Sequence, residues 1–445
     1  MTHGTTVDAG VLQPYLEDFE AVASNGGGEG PAWLLSARRA AIERFATLGF
    51  PTTRVEDWHF TSVTPIAERE FRLAEPAQVT TSADVERFSF GHPEWNHIVF
   101  VNGRYAPELS LVERLPAGVR VLDLADALRD DPVLVSRHLT KLANTTDNAF
   151  TALNTAFMRH GAVIRIPADV VVSSPIHLLF ISDSAAASSV AHPRNLIIAG
   201  RNSKATVIEH YASVGEAEYF TNAVTEIAVE DGATLTHYKV QRESERAFHV
   251  GTVEVDQGRD SHFVSFSFAT GAALSRTNIY TVLDGEGCGA TLNGLYMVSG
   301  RQHVDHQTRI EHAKPNCFSR EIYKGILDDL SHGVFNGKVY VQPIAQKTDG
   351  KQTNNNLLLS EHARVDTKPQ LEIFADDVKC THGATVGRLD EIALFYMKSR
   401  GIGAEHARSL LTYAFAADVL ETIEVDAVRE ELEGVTLERF AGEGR

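Results

Sequence analysis

The densest group of potential metal ligands in this sequence comprises His303, Asp305, His306, His312 and Cys317. Imidazole, carboxylate and thiolate groups are the usual ligands of protein metal sites, and on a strand His303 and Asp305 would face the same side. Their spacing, however, matches no standard helical zinc motif. We therefore favour polar residues along a turn and a strand edge. A metalloenzyme that uses His303, Asp305 and His306 is retained as an alternative.

A second segment is close to a phosphate-binding loop. Gly333 and Gly337 are separated by three residues, where the motif requires about four. Val339 stands where a magnesium-binding Ser or Thr is needed. We therefore expect that this chain does not hydrolyse ATP on its own.

Cys380 and His382 are the third candidate, because residues two apart on a strand point to the same face. A thiolate beside an imidazole suits iron, zinc or an iron–sulfur cluster. The same two groups could form a nucleophilic pair, although no third, orienting residue is evident. The residue pattern alone favours a buried cysteine beside a hydrogen-bonded histidine.

The composition limits the function classes. The 445 residues carry a net charge of −18, which disfavours nucleic acid and anionic membranes as partners. The three cysteines, Cys288, Cys317 and Cys380, form no disulfide framework and fit a reducing cytosol. No long apolar span or signal pattern is seen, so we expect a soluble cytoplasmic protein.

The elements that would position these residues fall into three regions. Residues 1–160 predict a mainly helical domain with a flexible, small-residue lead-in at 23–30. Apolar residues recur at helical spacing from Trp33 to Leu48, and Asn102-Gly103 predicts a hairpin.

Short β-rich runs fill residues 161–386 and show a weak repeat. Strand-like runs with Val207, Leu235, Phe263 and Leu292 at their third positions recur at intervals of 28, 28 and 29 residues. A fixed period of short strands is typical of a β-solenoid, which we favour over a β-sandwich.

Residues 387–445 predict a C-terminal helical domain. Its first helix carries Ile392, Phe395 and Tyr396 on one face. Its second helix spans 404–423, and the predicted buried side of that helix consists of Ala407, Leu411, Ala414, Phe415 and Val419. Two small helices cannot hide these aromatic groups, so we expect them to dock on the solenoid or on another protein.

Long ordered strings in the last third carry a family resemblance. They are Lys-Thr-Asp-Gly-Lys-Gln-Thr-Asn-Asn-Asn-Leu-Leu-Leu at 347–359, Val-Asp-Thr-Lys-Pro-Gln-Leu-Glu-Ile at 365–373 and Asp-Asp-Val-Lys-Cys-Thr-His-Gly-Ala-Thr-Val-Gly at 376–387. Together with 389–396 and 399–402, they closely resemble the SufB/SufD family of iron–sulfur cluster assembly proteins, and its SufD branch in particular. The segments at 54–61 and 323–326 also resemble the SufD branch of this family.

The resemblance implies a mainly β fold, with a right-handed parallel β-helix core between an N-terminal helical or mixed domain and a C-terminal helical domain. It also implies a cytoplasmic scaffold that works with SufB and the ATPase SufC to build and transfer nascent clusters. ATP hydrolysis then belongs to SufC, and this chain has no catalytic residue of its own. When isolated, such a chain can form a homodimer.

The resemblance also assigns residues. It implies that His382 lies at the interface with SufB and helps to hold the nascent cluster, with a less defined role for Cys380. The isolated chain would hold no stable metal, and a reduced flavin would bind in the assembled complex. The residues implied in SufC docking are Leu389, Ile392, Phe395, Tyr396, Leu411, Tyr413 and Phe415. The remaining alternative is a purely structural SufB partner that supplies no ligand.

Overall fold

The computed structural model describes residues 9–24, 30–74 and 79–440. The first third is mainly helical, with a few short strands between the helices. Its helices are α1 (Ala9–Ser24), α2 (Ala32–Leu48), α3 (Thr64–Ala67), α4 (Ser82–Arg87), α5 (Leu124–Asp130), α6 (Pro132–His138) and α7 (Ala149–Phe157). Its strands are β1 (Arg72–Leu73), β2 (Asn96–Val101), β3 (Arg104–Tyr105) and β4 (Arg120–Asp123).

A long series of strands follows, and each strand from β9 onward has nine or ten residues. The strands are β5 (Ala162–Ile166), β6 (Ile176–Ser182), β7 (Ser189–Ala191), β8 (Arg194–Ala199), β9 (Lys204–Ser213), β10 (Phe220–Val229), β11 (Thr234–Arg242), β12 (Phe248–Gln257), β13 (His262–Thr270), β14 (Leu274–Leu283), β15 (Gly289–Val298), β16 (His303–His312), β17 (Phe318–Leu327), β18 (His332–Val341), β19 (Asp349–Leu358), β20 (Arg364–Ile373) and β21 (Lys379–Gly387). The last described helices are α8 (Glu391–Ser399), α9 (Ala404–Leu420) and α10 (Asp426–Phe440).

The long strands alternate between two parallel sheets. From β8 onward, even-numbered strands stack in one sheet, the even sheet, and odd-numbered strands stack in the other, the odd sheet. Each strand pairs in parallel with the strand two positions along the chain. This arrangement is a parallel β-solenoid, so the predicted fold class is confirmed. The competing β-sandwich, which needs antiparallel pairs, is wrong.

The coils of the solenoid are less regular than the sequence repeat suggested. In the odd sheet, Leu235 pairs with Ala205 and Phe263, and Phe263 pairs with Ala290. The stacked positions are therefore 30, 28 and 27 residues apart. The predicted partners Val207 and Leu292 lie two residues from the true register. Because the side-chain period of a strand is two, they still face the correct side.

One continuous apolar cluster fills the interior of the solenoid. It runs from Ile98 and Val121 near the first coil to Phe335 and Ala363 near the last. Burying one large aliphatic or aromatic side chain contributes about 1.5–3 kcal/mol, so this cluster is the main source of stability for the stack of coils.

The two ends of the solenoid differ. At the N-terminal end, β2 and β4 extend the two sheets, and Val119, Val121 and Tyr105 cover the interior of the first coil. At the C-terminal end, β20 and β21 are the outermost strands of their sheets, each with one paired edge and one free edge. The solenoid is therefore capped at one end and open at the other.

The helical regions differ from the sequence predictions in several places. The predicted helix near Trp33 is present as α2, and the Asn102-Gly103 hairpin joins β2 to β3 with both residues at positive φ. Helix α1 occupies part of the predicted lead-in. Most of its small-residue run, at 25–29, lies outside the described residues.

The C-terminal helices pack differently from the prediction. Helix α9 ends at Leu420, and α10, which was not predicted, follows it. Val419 and Leu420 of α9 pack with Val428 and Leu432 of α10 against odd-sheet side chains such as Ile326. Within the described ranges, no helix combines the length and the apolar character needed to cross a bilayer.

Candidate functional site

The open end of the solenoid brings the predicted cluster residues to the surface. Strand β21 is the outermost strand of the odd sheet and pairs only with β19 among the described strands. His382 is exposed and Cys380 is half-buried. The two side chains share one face of β21, and two residues of strand separate them by about 6.8 Å.

His382 extends an interior column of the solenoid. In register on successive odd strands, the column contains His237, Ser265, Leu292, Glu321, Gln352 and His382. All members before His382 are buried. Because the stack ends at β21, the imidazole of His382 occupies an interior position and still faces solvent.

Two buried polar side chains lie directly beneath His382. Gln352 Nε2 donates a 2.6 Å hydrogen bond to Glu321 Oε2. On the opposite wall, a Cβ on Gly337 would lie 2.1 Å from Gln352 Nε2, so glycine at this position leaves room for the amide. Gln352 Oε1 and Glu321 Oε1 are buried and have no hydrogen-bond partner among the residues that the structure describes. Burial raises the pKa of Glu321 to about 7, so its carboxyl group is largely protonated under mildly acidic conditions.

Cys380 extends the neighbouring interior column. Its Sγ lies over Gly350, where an added Cβ would be 3.4 Å away, and it packs against the apolar cluster that contains Val339 and Val341. Burial raises the pKa of the Cys380 thiol above its usual value. The thiol is therefore protonated at neutral pH, and it must release its proton to a base, a step that metal binding favours, before it can act as a ligand.

The free edge of β21 offers backbone groups to a partner. The Lys379 amide donates to Thr348 O at 2.8 Å, so the backbone of Lys379 faces β19. Backbone direction alternates along a strand, so Cys380, His382 and Ala384 present N–H and C=O groups to the open edge. Unpaired backbone groups on an edge strand are a template for another strand.

The alternative ligand set is not brought together. Thr61 Oγ1 lies 2.9 Å from His303 Nε2 and donates to Asp305 Oδ2 at 2.6 Å, while Arg276 forms a 2.7 Å buried ion pair with Asp305. These contacts attach the segment around Thr61 to the outside of the even sheet. His306 faces the interior, where it stacks with Tyr296.

These contacts contradict the metalloenzyme alternative, because a strand directs His306 away from His303 and Asp305. In the described part of the chain, no three His, Cys, Asp or Glu side chains form a group suited to a metal ion. The glycine segment near Lys338 is likewise not a loop. It lies within strand β18, and Lys338 Nζ pairs with Glu372 at 2.9 Å.

The proposed docking residues divide into two groups. On α8, Ile392 is 79% exposed, Phe395 is 73% exposed, and Tyr396 is also exposed. Asp390 caps this helix by accepting from the Ile392 and Ala393 amides. Helix α8 therefore forms a stable apolar surface in solvent.

The docking residues predicted on α9 are less exposed to solvent than those on α8. Leu411 and Tyr413 are half-buried, as is Leu389 before α8. Phe415 packs against the odd-sheet cluster beneath Lys324, whose Nζ lies 4.5 Å from the ring centre. The predicted buried side of α9 is partly wrong. Ala414 is exposed, and the buried residues are Ala407, Ser409, Thr412, Ala416, Val419 and Leu420.

Sequence reasoning did not find Glu321 and Gln352. A signal was present, because Glu321, Gln352 and His382 are 31 and 30 residues apart, which is one coil each. The variable coil length, however, hides such a column until the strands are aligned.

Two family models cover most of the chain. The one described as SUF system FeS cluster assembly, SufBD core domain, matches residues 180–415. The one described as SufBD protein N-terminal region matches residues 12–178.

Individual relatives are similar in sequence to this chain over nearly its whole length. An iron–sulfur cluster assembly SufBD family protein of Synechocystis is 33% identical over 90% of this chain and 89% of its own. The iron–sulfur cluster assembly protein SufD of Escherichia coli is 34% identical over 91% of this chain and 92% of its own. The iron–sulfur cluster assembly protein SufD of Bacillus subtilis is 29% identical over 98% of this chain and 99% of its own.

Proposed function

The chain belongs to the SufBD family of iron–sulfur cluster assembly proteins, and from that premise we propose that it is the SufD-type subunit of a cytoplasmic scaffold. In this proposal a SufB-type subunit pairs with it, and a SufC-type ATPase supplies the ATP hydrolysis. The nascent iron–sulfur cluster is the cargo of the complex, and the chain itself catalyses no reaction.

The observation that carries the proposal is the open end of the solenoid, with His382 on its outermost strand. An uncovered interior and two free sheet edges favour association with a similar solenoid end. Such pairing would enclose the imidazole of His382 between two subunits. An isolated chain would use the same edge to form a homodimer.

Ligand chemistry accounts for a site that is divided between two chains. His382 and Cys380 are too few for a separate cluster site, which normally needs about four protein ligands. With SufB thiolates completing the set, the cluster would stay bound only while the two subunits hold their relative position. Small movements at the interface would then release the cluster to an acceptor protein.

Helix α8 is the proposed contact for the ATPase. Three of its large apolar side chains, Ile392, Phe395 and Tyr396, are exposed on one element that is capped and folded. ATP-dependent movement of SufC-type subunits bound there would reach β21 through the short connection from Gly387 to Asp390.

We place the reduced flavin in the assembled complex and assign it no site on this chain. A cavity of about 480 Å³ between α6 and the solenoid is lined by Arg137, Lys141, Arg201 and Asp256, among others, and by no Phe, Tyr or Trp. Such a lining lacks the aromatic face on which an isoalloxazine ring stacks, so these residues do not fit the group.

The test is cluster formation in a complex that carries His382→Ala. The chain is co-expressed with its SufB-type and SufC-type partners, and iron and sulfide are reconstituted anaerobically. Cluster absorbance is measured against wild type and against Thr381→Ala, a control whose side chain faces away from the interior. We expect His382→Ala to form cluster at least about tenfold more slowly, with the complex intact.

The control should behave as wild type. If His382→Ala assembles cluster at the wild-type rate in an intact complex, the ligand role is wrong. The chain would then be a purely structural partner of SufB. If the partners fail to co-purify with the wild-type chain, the scaffold proposal itself is wrong.

A further inference from the structure

Two cysteines that the cluster site does not use are stacked on adjacent coils. Gly289 and Phe318 are in register on β15 and β17, so the preceding residues, Cys288 and Cys317, are direct neighbours. The Phe318 amide donates to Cys288 O at 3.0 Å, which fixes this alignment. Both side chains are buried.

The same position in the flanking coils is occupied by hydroxyl residues. Ser261 Oγ donates to Gly258 O at 2.7 Å, and Thr348 Oγ1 donates to Ala345 O at 2.9 Å. Cys288 Sγ lies 3.0 Å from the equivalent carbonyl, three residues earlier, and 2.9 Å from Gly258 O on the preceding coil. A hydroxyl group therefore satisfies this turn, and the fold does not require a thiol here.

The Cys317 thiol departs from the pattern in the direction of Cys288. Its Sγ lies 3.3 Å from Gly285 O, the same carbonyl that accepts from Cys288 on the neighbouring coil. The two sulfur atoms thus converge on one oxygen. A hydrogen bond from Cys317 lowers the pKa of Cys288 below its usual value, which favours the Cys288 thiolate as the attacking group.

We propose that Cys288 and Cys317 are a modification site, at which a hydroperoxide converts the two thiols into a reversible disulfide between adjacent coils. Neighbouring strands are about 4.8 Å apart, which lies within the Cα separation of about 4.4–6.8 Å that disulfides adopt. The stack therefore needs little rearrangement to close the bond. This inference does not rest on the proposed scaffold function.

The chemistry balances in two steps. The Cys288 thiolate attacks one peroxide oxygen and the O–O bond breaks. The leaving oxygen takes a proton to become water or an alcohol, and Cys288 becomes a sulfenic acid. The Cys317 sulfur then attacks Cys288 Sγ and gives up its proton, the S–O bond breaks, and water leaves. Two electrons pass from the thiols to the peroxide, and an external thiol reverses the reaction by exchange.

A small oxidant can reach the pair because both cysteines lie directly behind surface turns. Asp284 and Glu286 before Cys288 are exposed, and so is Asn316 before Cys317. A brief opening of one turn admits hydrogen peroxide without disturbing the stacked strands.

The test treats the purified full-length chain with hydrogen peroxide and digests it under non-reducing conditions after alkylating the free thiols. We expect a peptide in which Cys288 is joined to Cys317, a loss of about 2 Da from the intact chain, and reversal by dithiothreitol. Cys288→Ser retains the turn hydrogen bond and Cys317→Ser retains a small polar side chain, and each should abolish the linked peptide. Cys380→Ser should retain it.

The proposal is overturned if Cys288 and Cys317 stay alkylatable while Cys380 is oxidised. It is also overturned if both are oxidised to sulfinic acids without a crosslink. Circular dichroism of the serine variants checks that their solenoids are folded. If either variant fails to fold, the peptide map of the wild-type chain decides alone.

Discussion

Glu321 places an ionisable carboxyl group in the interior, one coil beneath Gln352 and two beneath His382. The carboxyl group is buried and holds Gln352 through a 2.6 Å hydrogen bond. Its pKa is about 7 in the folded chain, against an ordinary value of 4.5. Burial therefore favours the neutral form of this carboxyl group beneath the open end.

We therefore predict a pH-dependent effect of Glu321→Gln. A folded pKa above the unfolded value means that the stabilising contribution is present below pH 4.5 and is lost as the pH rises through 7. The amide cannot ionise, so the variant should be more stable than wild type at pH 8, by about 2–3 kcal/mol, and equal to it near pH 4.5.

Urea denaturation at both pH values measures this difference. Glu361→Gln, at an exposed position, is the control and should have no effect at either pH. An equal effect of Glu321→Gln at both pH values would show that the carboxyl group does not titrate in the folded chain.

A second buried charge lies in the middle of the solenoid. Lys239 Nζ is 2.8 Å from His249 Nε2, and the carboxylates of Glu209 and Glu243 provide its opposing charges. All four side chains are buried. Removing the cation leaves Glu209 and Glu243 with only hydrogen bonds and the neighbouring His237 and His249 to stabilise their buried negative charges, which is costly.

Lys239→Met should therefore destabilise the chain by about 3–5 kcal/mol. The double variant Lys239→Met/Glu243→Gln should recover part of the loss, because one excess negative charge is removed. Chemical denaturation of the two single variants and the double variant gives the coupling free energy. Strictly additive losses would contradict the predicted charge interaction.

At the scale of elements, β21 combines a paired edge with a free edge, and the two can be tested separately. The Ala384 amide faces the free edge, whereas its neighbours in the chain bond to β19. Proline at 384 removes an N–H from the free edge and leaves the β19 ladder intact.

Ala384→Pro should weaken pairing with the SufB-type subunit by about tenfold or more, which corresponds to about 1.4 kcal/mol. Ala384→Ser, which retains the N–H, should pair normally. Co-purification and analytical ultracentrifugation measure the association, and thermal unfolding checks that both variants are folded. Normal pairing of a folded Ala384→Pro chain would exclude strand addition at this edge.

Helix α8 is the second element with a free apolar face. Phe395→Asp should reduce binding of the SufC-type ATPase by about tenfold or more and leave the melting temperature unchanged, because Phe395 is exposed. The matched control is Val133→Asp, which replaces an exposed apolar side chain on the distant α6. A pull-down with the purified ATPase distinguishes them, and equal binding by both variants would argue against α8.

Deleting the whole region after Gly387 is a poorer test. It also removes α9 and α10, whose buried residues Val419, Leu420 and Leu432 cover odd-sheet side chains. Such a truncation would expose an apolar face of the solenoid, and any loss of binding could reflect misfolding. Substitution on α8 separates docking from folding.

The sequence predicted best those elements whose own residues define the structure, without contacts from distant parts of the chain. Apolar spacing was sufficient for α2, and Asn102-Gly103 was sufficient for the hairpin. Helix α10 was missed because its turns are largely charged and only a few positions, such as Val428 and Leu432, contact the solenoid.

The site depended on information that is not local. Cys380 and His382 were found because they lie together in one motif, whereas Glu321 and Gln352 lie on other coils. The number of residues per coil varies. Which residues stack in one interior column is therefore known only once the strands are paired, and a fixed sequence period could not predict it. Helix α8 was predicted from its apolar face, but which α9 residues are covered depended on packing.

At the scale of the whole molecule, buried histidines make stability depend on pH. Burial lowers the pKa of His192 and His306 to about 3 and that of His303 and His312 to about 4, from an ordinary value of 6.5. Their contribution is present above pH 6.5 and is lost as the pH falls through these folded values.

The free energy of unfolding should therefore fall steeply between pH 6.5 and pH 4, by about 1.4 kcal/mol per pH unit for each histidine. Glu254 and Glu321, with pKa values raised to about 8 and about 7, act in the opposite direction above pH 4.5. The free energy of unfolding, measured by denaturation from pH 4 to pH 9, should be highest at about pH 6 and should fall more steeply on the acid side than on the alkaline side. A flat profile below pH 6.5 would contradict the neutral state of these imidazoles.

The unequal ends of the solenoid also set how many copies can assemble. A rod with two open ends could add further rods at both and grow into a fibre. The first coil of this rod ends in the short strands β3 and β4, with side chains over its interior, whereas among the described strands the long unpaired edges are those of β20 and β21. When two such rods meet by their open ends, each uses up the other's free edge. End-to-end association of this kind would therefore terminate at two solenoids, and the stoichiometry would follow from where the coils begin and stop.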